Sequence, residues 1–133
     1  MKKHPMRTFL WFCVAVLAGC GSTPPPPDWQ MNAKGSAERA AEAWLSGNTK
    51  VEEVEFLRAR SEVARTAMPE RVARLELTRC ATRVAALVFE PCAGFDAVAG
   101  DAAPTERAYA RYLAGQASAD DAKLFDAIAI GDH

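Results

Sequence analysis

Histidine is almost missing from this 133-residue chain: only His4 and His133 occur, one near each end. No internal imidazole is present to act as a general base or metal ligand, so Ser-His-Asp and Cys-His schemes have no base. Cysteine is scarce too, and Cys13, Cys20, Cys80 and Cys92 follow no zinc-site spacing. No glycine-rich phosphate loop is present. The acid clusters Glu52-Glu53-Glu55 and Asp120-Asp121 fall where helices are expected to begin. Acids there stabilise the helix dipole, which favours a structural role over acid–base work. These absences predict a non-catalytic protein with no metal and no cofactor.

No stretch alternates apolar and polar residues as a half-buried strand does, and β-branched residues are thinly scattered while alanine is abundant. The expected fold class is all-α, a small bundle or repeat-like array of about five helices. No apolar run reaches the roughly 20 residues a bilayer-spanning helix needs; the run from Phe9 to Leu17 falls well short.

That run suits a cleaved leader instead. Lys2, Lys3 and Arg7 form a positive n-region before it, and small residues follow it. Leu17-Ala18-Gly19-Cys20 closes the segment and resembles the lipobox of bacterial lipoproteins. The resemblance implies removal of residues 1–19 as a signal peptide, a diacylglycerol thioether on Cys20 and a third acyl chain on its amine. Each buried methylene contributes about 0.8 kcal/mol, so two or more chains anchor a protein durably. In that family an aspartate after the cysteine commonly retains the protein at the inner membrane. Here the residue is Gly21, so the expected address is the outer membrane, facing the periplasm. The chain as a whole is similar to the small lipoproteins of proteobacteria, a likeness that brings no activity with it.

Residues 20–27 are then a lipidated cysteine and a tether, in which Pro24 to Pro27 fix φ and favour polyproline II at about 3.1 Å per residue. Residues 28–133 are expected to form one helical domain. Without its leader the chain keeps thirteen of sixteen basic residues against seventeen acids, a net charge of −4. The charge is uneven. Arg58 to Arg83 holds seven arginines and three glutamates, whereas Val84 to His133 holds eight acids and three bases. The two blocks are expected to attract each other across packed helices, or the basic block to meet an acidic partner. Nucleic acid is a poor partner for an exported, anchored protein.

Asp28 is the expected cap of a first helix with Trp29, Ala33, Ala37, Ala40, Ala41 and Trp44 on one face. Gly35 is a candidate break before Ser36, and Gly47-Asn48 is the stop. Thr49 with Glu52 has the capping-box pattern and opens a second helix over 50–67. Its stripe of Phe56, Ala59, Val63 and Ala67, with Val54, Leu57 and Ala64 on another side, predicts apolar neighbours on two flanks and a central position. Pro69 opens a third helix, ending near Phe89, with Leu77, Cys80, Ala81, Val84, Leu87 and Val88 inward and Arg71 and Arg74 opposite. Residues 91–101 read as a loop with one short turn, where Phe95 plugs the bundle end. Pro104 opens a fourth helix with Ala108, Tyr109, Tyr112 and Leu113 inward, stopping at Gly115. Ser118 caps a fifth, with Ala122, Phe125, Ile128 and Ala129 inward. So little follows Gly131 that this helix is thinly buttressed, which fits a longer parent chain.

With Cys13 in the leader and Cys20 lipidated, Cys80 and Cys92 are the pair left for an oxidising periplasm. Helix from Cys80 to Phe89 rises about 13 to 14 Å, and three extended residues return only about 10 Å. A bridge needs Cα atoms about 4.4 to 6.8 Å apart. Either the loop folds back almost fully and the two bond, or Cys80 is buried and Cys92 stays free or pairs between molecules.

Leu45-Ser46-Gly47, then Phe56 and Ala59, resemble the helix-turn-helix spacing of a tetratricopeptide repeat over about thirty residues. Glu52 stands where that repeat prefers a small alanine, Pro69 arrives late, and no second copy follows. The resemblance implies a repeat-like helical hairpin. Together these features lead to a non-catalytic adapter, held to the membrane through its lipid and binding another envelope protein with a helical groove or face. The alternative is an accessory module for a small molecule or cell-wall polymer, with Trp29, Trp44, Tyr109 and Tyr112 as stacking surfaces; their expected core positions weigh against it.

Overall fold

The computed structural model describes residues 24–131, with side chains described as far as Phe125. The leader, the lipobox with Cys20, and residues 21–23 lie outside the described residues. Pro24 to Pro27 are exposed and non-helical, and Pro27 has φ −57° and ψ 147°, in the polyproline region. Among the described residues the fold is all-α without strands, as the composition predicts, built from six helices of which five are long.

Helices α1 (Asp28–Leu45) and α2 (Thr49–Ala64) form a hairpin. Pro27, not Asp28, is the N-cap of α1, and Asp28 lies in its first turn. The helix runs unbroken through Gly35. One interior glycine costs about 1 kcal/mol, while Ala33, Ser36, Ala40 and Ala43 are all buried around it, so packing outweighs the penalty. The turn closes as a Schellman motif: Gly47 has φ +76°, its N–H donates to the Trp44 carbonyl (2.9 Å), and Asn48 N–H donates to the Ala43 carbonyl (2.8 Å). Asn48 then caps α2, its side chain accepting from Val51 N–H at 3.3 Å. Thr49, the expected cap, is already inside the helix.

Helix α3 (Pro69–Ala85) stops four residues before the expected end. Leu87 takes φ +61°, its N–H donates to Val84, and Val88 N–H donates to Arg83, both at 2.9 Å. This is the same Schellman closure with a leucine in the glycine position. Leu87 and Val88 therefore leave the inward face on which helical spacing puts them, and Leu87 is 78% exposed. A short helix α4 (Ala93–Asp96) and a 3-10 turn (Ala99–Asp101) lead to α5 (Pro104–Leu113), which ends in a third Schellman motif at Gly115. Helix α6 (Ala119–Gly131) follows.

The centre of the fold is α3 rather than α2. Its Val72 and Leu75 join Ala33, Ala40, Phe56, Ala59 and Val63 in one apolar cluster, and its Ala73 and Leu77 join Phe95 and Ala102 in a second. The second flank of α2 faces solvent, with Val54 50% and Leu57 56% exposed. The reason is topological: α5 packs on α3 and α6 on α5, so no helix is left to cover that flank. Ala122 is exposed, whereas Phe125 packs edge-on against Tyr109 and Tyr112; the side chains of Ile128 and Ala129 lie outside the described residues.

Candidate functional site

Burying alanine-rich helices leaves few large apolar side chains to join them, and charge fills part of that role. Glu52, Glu55, Glu76, Glu106 and Asp121 are all buried, and each meets an arginine of another helix. Arg79 forks onto Glu52 at 2.6 and 2.8 Å, linking α3 to α2. Arg39 reaches Glu55 at 3.0 Å, Arg60 reaches Glu76 at 2.9 Å, and Arg74 reaches Glu106 at 2.6 Å. Arg111 pairs with Asp121 across the α5–α6 turn. Charge-assisted bonds of this kind satisfy carboxylates that burial would otherwise penalise. The Arg39 hydrogen bond holds the Glu55 carboxyl below its ordinary range. Burial pushes Glu106 up, and hydrogen bonds from Arg74 and Thr105 outweigh it, so the net shift is down. The Asp121 carboxyl is likewise held well below its ordinary range, by Arg111 and by the Ser118 N–H at 2.9 Å. In return, Asp121 N–H donates to the Ser118 hydroxyl at 3.2 Å, making a capping box in which aspartate takes the glutamate position.

Within the acid clusters, Glu52, Glu55 and Asp121 are thus buried and paired with arginines rather than solvent-facing, while Glu53 and Asp120 stay exposed. The signal was present in the spacing: Glu52 and Glu55 stand four residues before Phe56 and Ala59, on the buried stripe itself. Of the two opposed charge blocks, Arg74–Glu106 and Arg83–Glu90 join one to the other, while Arg58, Arg60, Arg65 and Arg79 pair with acids that precede or lie within the basic block.

A groove remains between α1 and α3, because α3 packs mainly on α2 and α5. Its α1 wall is low, since Ala37 and Ala41 offer only methyl groups. At one end Arg71 lies over Trp29, Cζ to ring centroid 4.7 Å; at the other Arg83 lies over Trp44 at 4.6 Å. Such stacking combines cation–π attraction with burial of the arginine stem. The Trp29 end opens into about 380 Å³ bordered by Gln30, Lys34, Arg71, Arg74 and Thr78, with no carboxylate in its lining. The Trp44 end is a notch of about 20 Å³ over Ala41, Phe56 and Leu75, with Thr82 at its rim, room for little more than one water-sized group.

Of Trp29, Trp44, Tyr109 and Tyr112, which helical spacing places inward, Tyr109 packs against the second apolar cluster, while the others lie at the margins of the core or outside it. Trp29, Trp44 and Tyr109 are half-buried, and Tyr112 is 59% exposed. Tyr109 and Tyr112 stack at 6.0 Å between centroids. A second, more open depression of about 590 Å³ lies beside them, bordered by Val84, Phe89, Pro91, Tyr112 and Leu113.

Cys80 on α3 and Cys92 before α4 are joined in the structure, with Cα atoms 5.7 Å apart. The early stop of α3 makes this reach short, because the chain folds back from Leu87 rather than from Phe89. Gly94 lies close by, where an added Cβ would collide with the Glu76 carboxylate. Among the described residues no group of three metal-binding side chains converges, and no helix is long and apolar enough to cross a membrane. No family, no curated protein and no solved structure matches this chain.

Proposed function

We propose that the protein is a lipid-anchored helical adapter at the outer membrane, facing the periplasm, whose α1–α3 groove binds another envelope protein. The observation that carries this reading is the groove itself: a low alanine wall, two tryptophans capped by arginines, and cationic and hydroxyl side chains along the α3 side. Groups of that kind hold a polypeptide through backbone and side-chain hydrogen bonds and through the tryptophan faces. The lipobox resemblance at Leu17-Ala18-Gly19-Cys20 and the exposed prolines Pro24 to Pro27 support an anchored protein held off its membrane. The adapter has no catalytic role in this reading, since its buried acids are committed to arginines.

Photocrosslinking tests the adapter directly. A photoreactive residue at Thr78, in the groove, should trap a discrete envelope protein that a lipidated control domain does not; absence of any enriched protein rejects the reading. Replacing Cys20 by Ala tests the anchor. It should release the protein from membranes with the helical domain still folded, and a variant that stays membrane-bound rejects the lipoprotein assignment. A second reading, binding of a wall polymer or small molecule, is favoured by exposed Tyr112 beside the open depression at Phe89 and Pro91. It requires a change in aromatic fluorescence on adding wall fragments.

A further inference from the structure

The adapter groove is asymmetric, and that asymmetry selects its occupant. The Trp29 half presents Lys34, Arg71 and Arg74 without a carboxylate in its lining. Arg71 makes its close contact with the Trp29 ring and takes no acid partner among the described residues. Arg74 places two of its nitrogens on a single oxygen of Glu106, at 3.0 and 2.6 Å, and its side chain is 75% exposed, so donors remain free. The Trp44 half differs. Its arginines are already engaged, Arg79 by Glu52 and Arg83 by Glu90, and its notch admits only a small group. Lys34 has only an exposed pair with Glu38 at 3.8 Å, so the Trp29 half holds one arginine without a carboxylate partner among the described residues, Arg71, beside the spare donors of Arg74.

We infer that the groove takes an extended acidic segment of a partner protein, its carboxylates against Lys34, Arg71 and Arg74 and its small apolar residues over the Trp44 notch. This inference rests on the adapter reading and names the partner's chemistry. Trp29 and Trp44 are fifteen residues apart on α1, about 22 Å along a helix axis. An extended chain covers that distance in roughly seven residues at about 3.3 Å each. Charge complementarity steers the acidic end and sets the register, while the unobstructed alanine wall admits the backbone.

The experiment uses the whole protein in mild detergent and a fluorescein-labelled probe of three glutamates followed by four alanines, read by anisotropy. The probe should bind, a probe with lysines in place of the glutamates should not, and binding should weaken as salt rises from about 0.05 to 0.3 M. Arg71→Glu should weaken binding at least about tenfold and Arg71→Gln by less. Arg65→Glu makes the same charge change outside the groove, where Arg65 pairs with Glu62, and should have little effect. Circular dichroism on each variant separates lost binding from lost fold. Equal effects at Arg71 and Arg65, equal binding of the lysine probe, or Arg71-dependent capture of phosphatidylglycerol vesicles instead of the peptide overturns the inference. If the probe fails while the Thr78 crosslink still traps a protein, the acidic occupant is wrong and the adapter stands; if both fail, the adapter falls too.

Discussion

Single residues in this chain carry unusual weight because so much of the core is alanine and paired charge. Gly94 shows the effect of one missing methyl group. An added Cβ would stand 2.8 Å from the Glu76 Cδ and closer still to its carboxylate, which Arg60 holds in place. Gly94→Ala should therefore lower stability by about 1–3 kcal/mol, by forcing a buried carboxylate away from its partner. Gly100→Ala, which meets nothing within 4 Å, should stay within about 0.5 kcal/mol. Urea melts of both variants and of Gly94→Ala combined with Glu76→Ala decide the mechanism: the double variant should lose less than the sum of its parts. The buried acids were visible in the sequence as residues but not as partners. Glu52 and Arg79, or Arg74 and Glu106, meet only through packing between helices that local spacing does not relate.

At the scale of the element, helix starts and stops follow local chemistry wherever glycine or proline sets them. Gly47 and Gly115 stop α1 and α5 as expected, and Pro69 and Pro104 open α3 and α5. The end of α3 was not legible, because Leu87 does a glycine's work at φ +61°. A left-handed L-residue costs about 1–2 kcal/mol, whereas glycine pays about 0.5–1 in unfolded-state freedom. Leu87→Gly should accordingly stabilise the protein by about 0.5–1 kcal/mol, and Gly47→Ala should destabilise it by a similar amount. Thermal midpoints moving in opposite directions confirm this; a loss at Leu87→Gly means the exposed leucine makes contacts that outweigh its backbone strain.

For the whole molecule, five arginine–carboxylate pairs connect neighbouring helices. The carboxyls of Glu55, Glu106 and Asp121 are lowered in the fold from ordinary values near 4.5 for glutamate and 3.8 for aspartate. Groups lowered by folding stabilise above their unfolded range and lose that contribution as protons bind in the native state. The urea midpoint should hold steady from about pH 7 to 5 and fall progressively below about pH 4.5. A midpoint unchanged at pH 3 would mean that the pairs of Glu55, Glu106 and Asp121 contribute nothing net. The Cys80–Cys92 link spans a separation of 12 residues and ties the α4 segment to α3. Replacing both cysteines by serine should lower stability by roughly 2–3 kcal/mol. Two alkylatable thiols in the unreduced monomer would show that the link does not form in the protein.

Helical class, the hairpin turn at Gly47 and the proline starts arise from residues within a few positions of one another, and so could be read along the chain. The lipobox resemblance is equally local, and it alone bears on where the protein resides. Which helix lies at the centre was decided by packing. Apolar spacing on α2 and α3 is equally suggestive, and only the placement of α5 on α3 exposes Val54 and Leu57 while burying Leu77. The groove also belongs to tertiary structure. Its walls lie some forty residues apart in the chain, so Trp29 and Arg71, or Trp44 and Arg83, become neighbours only when α1 and α3 run side by side.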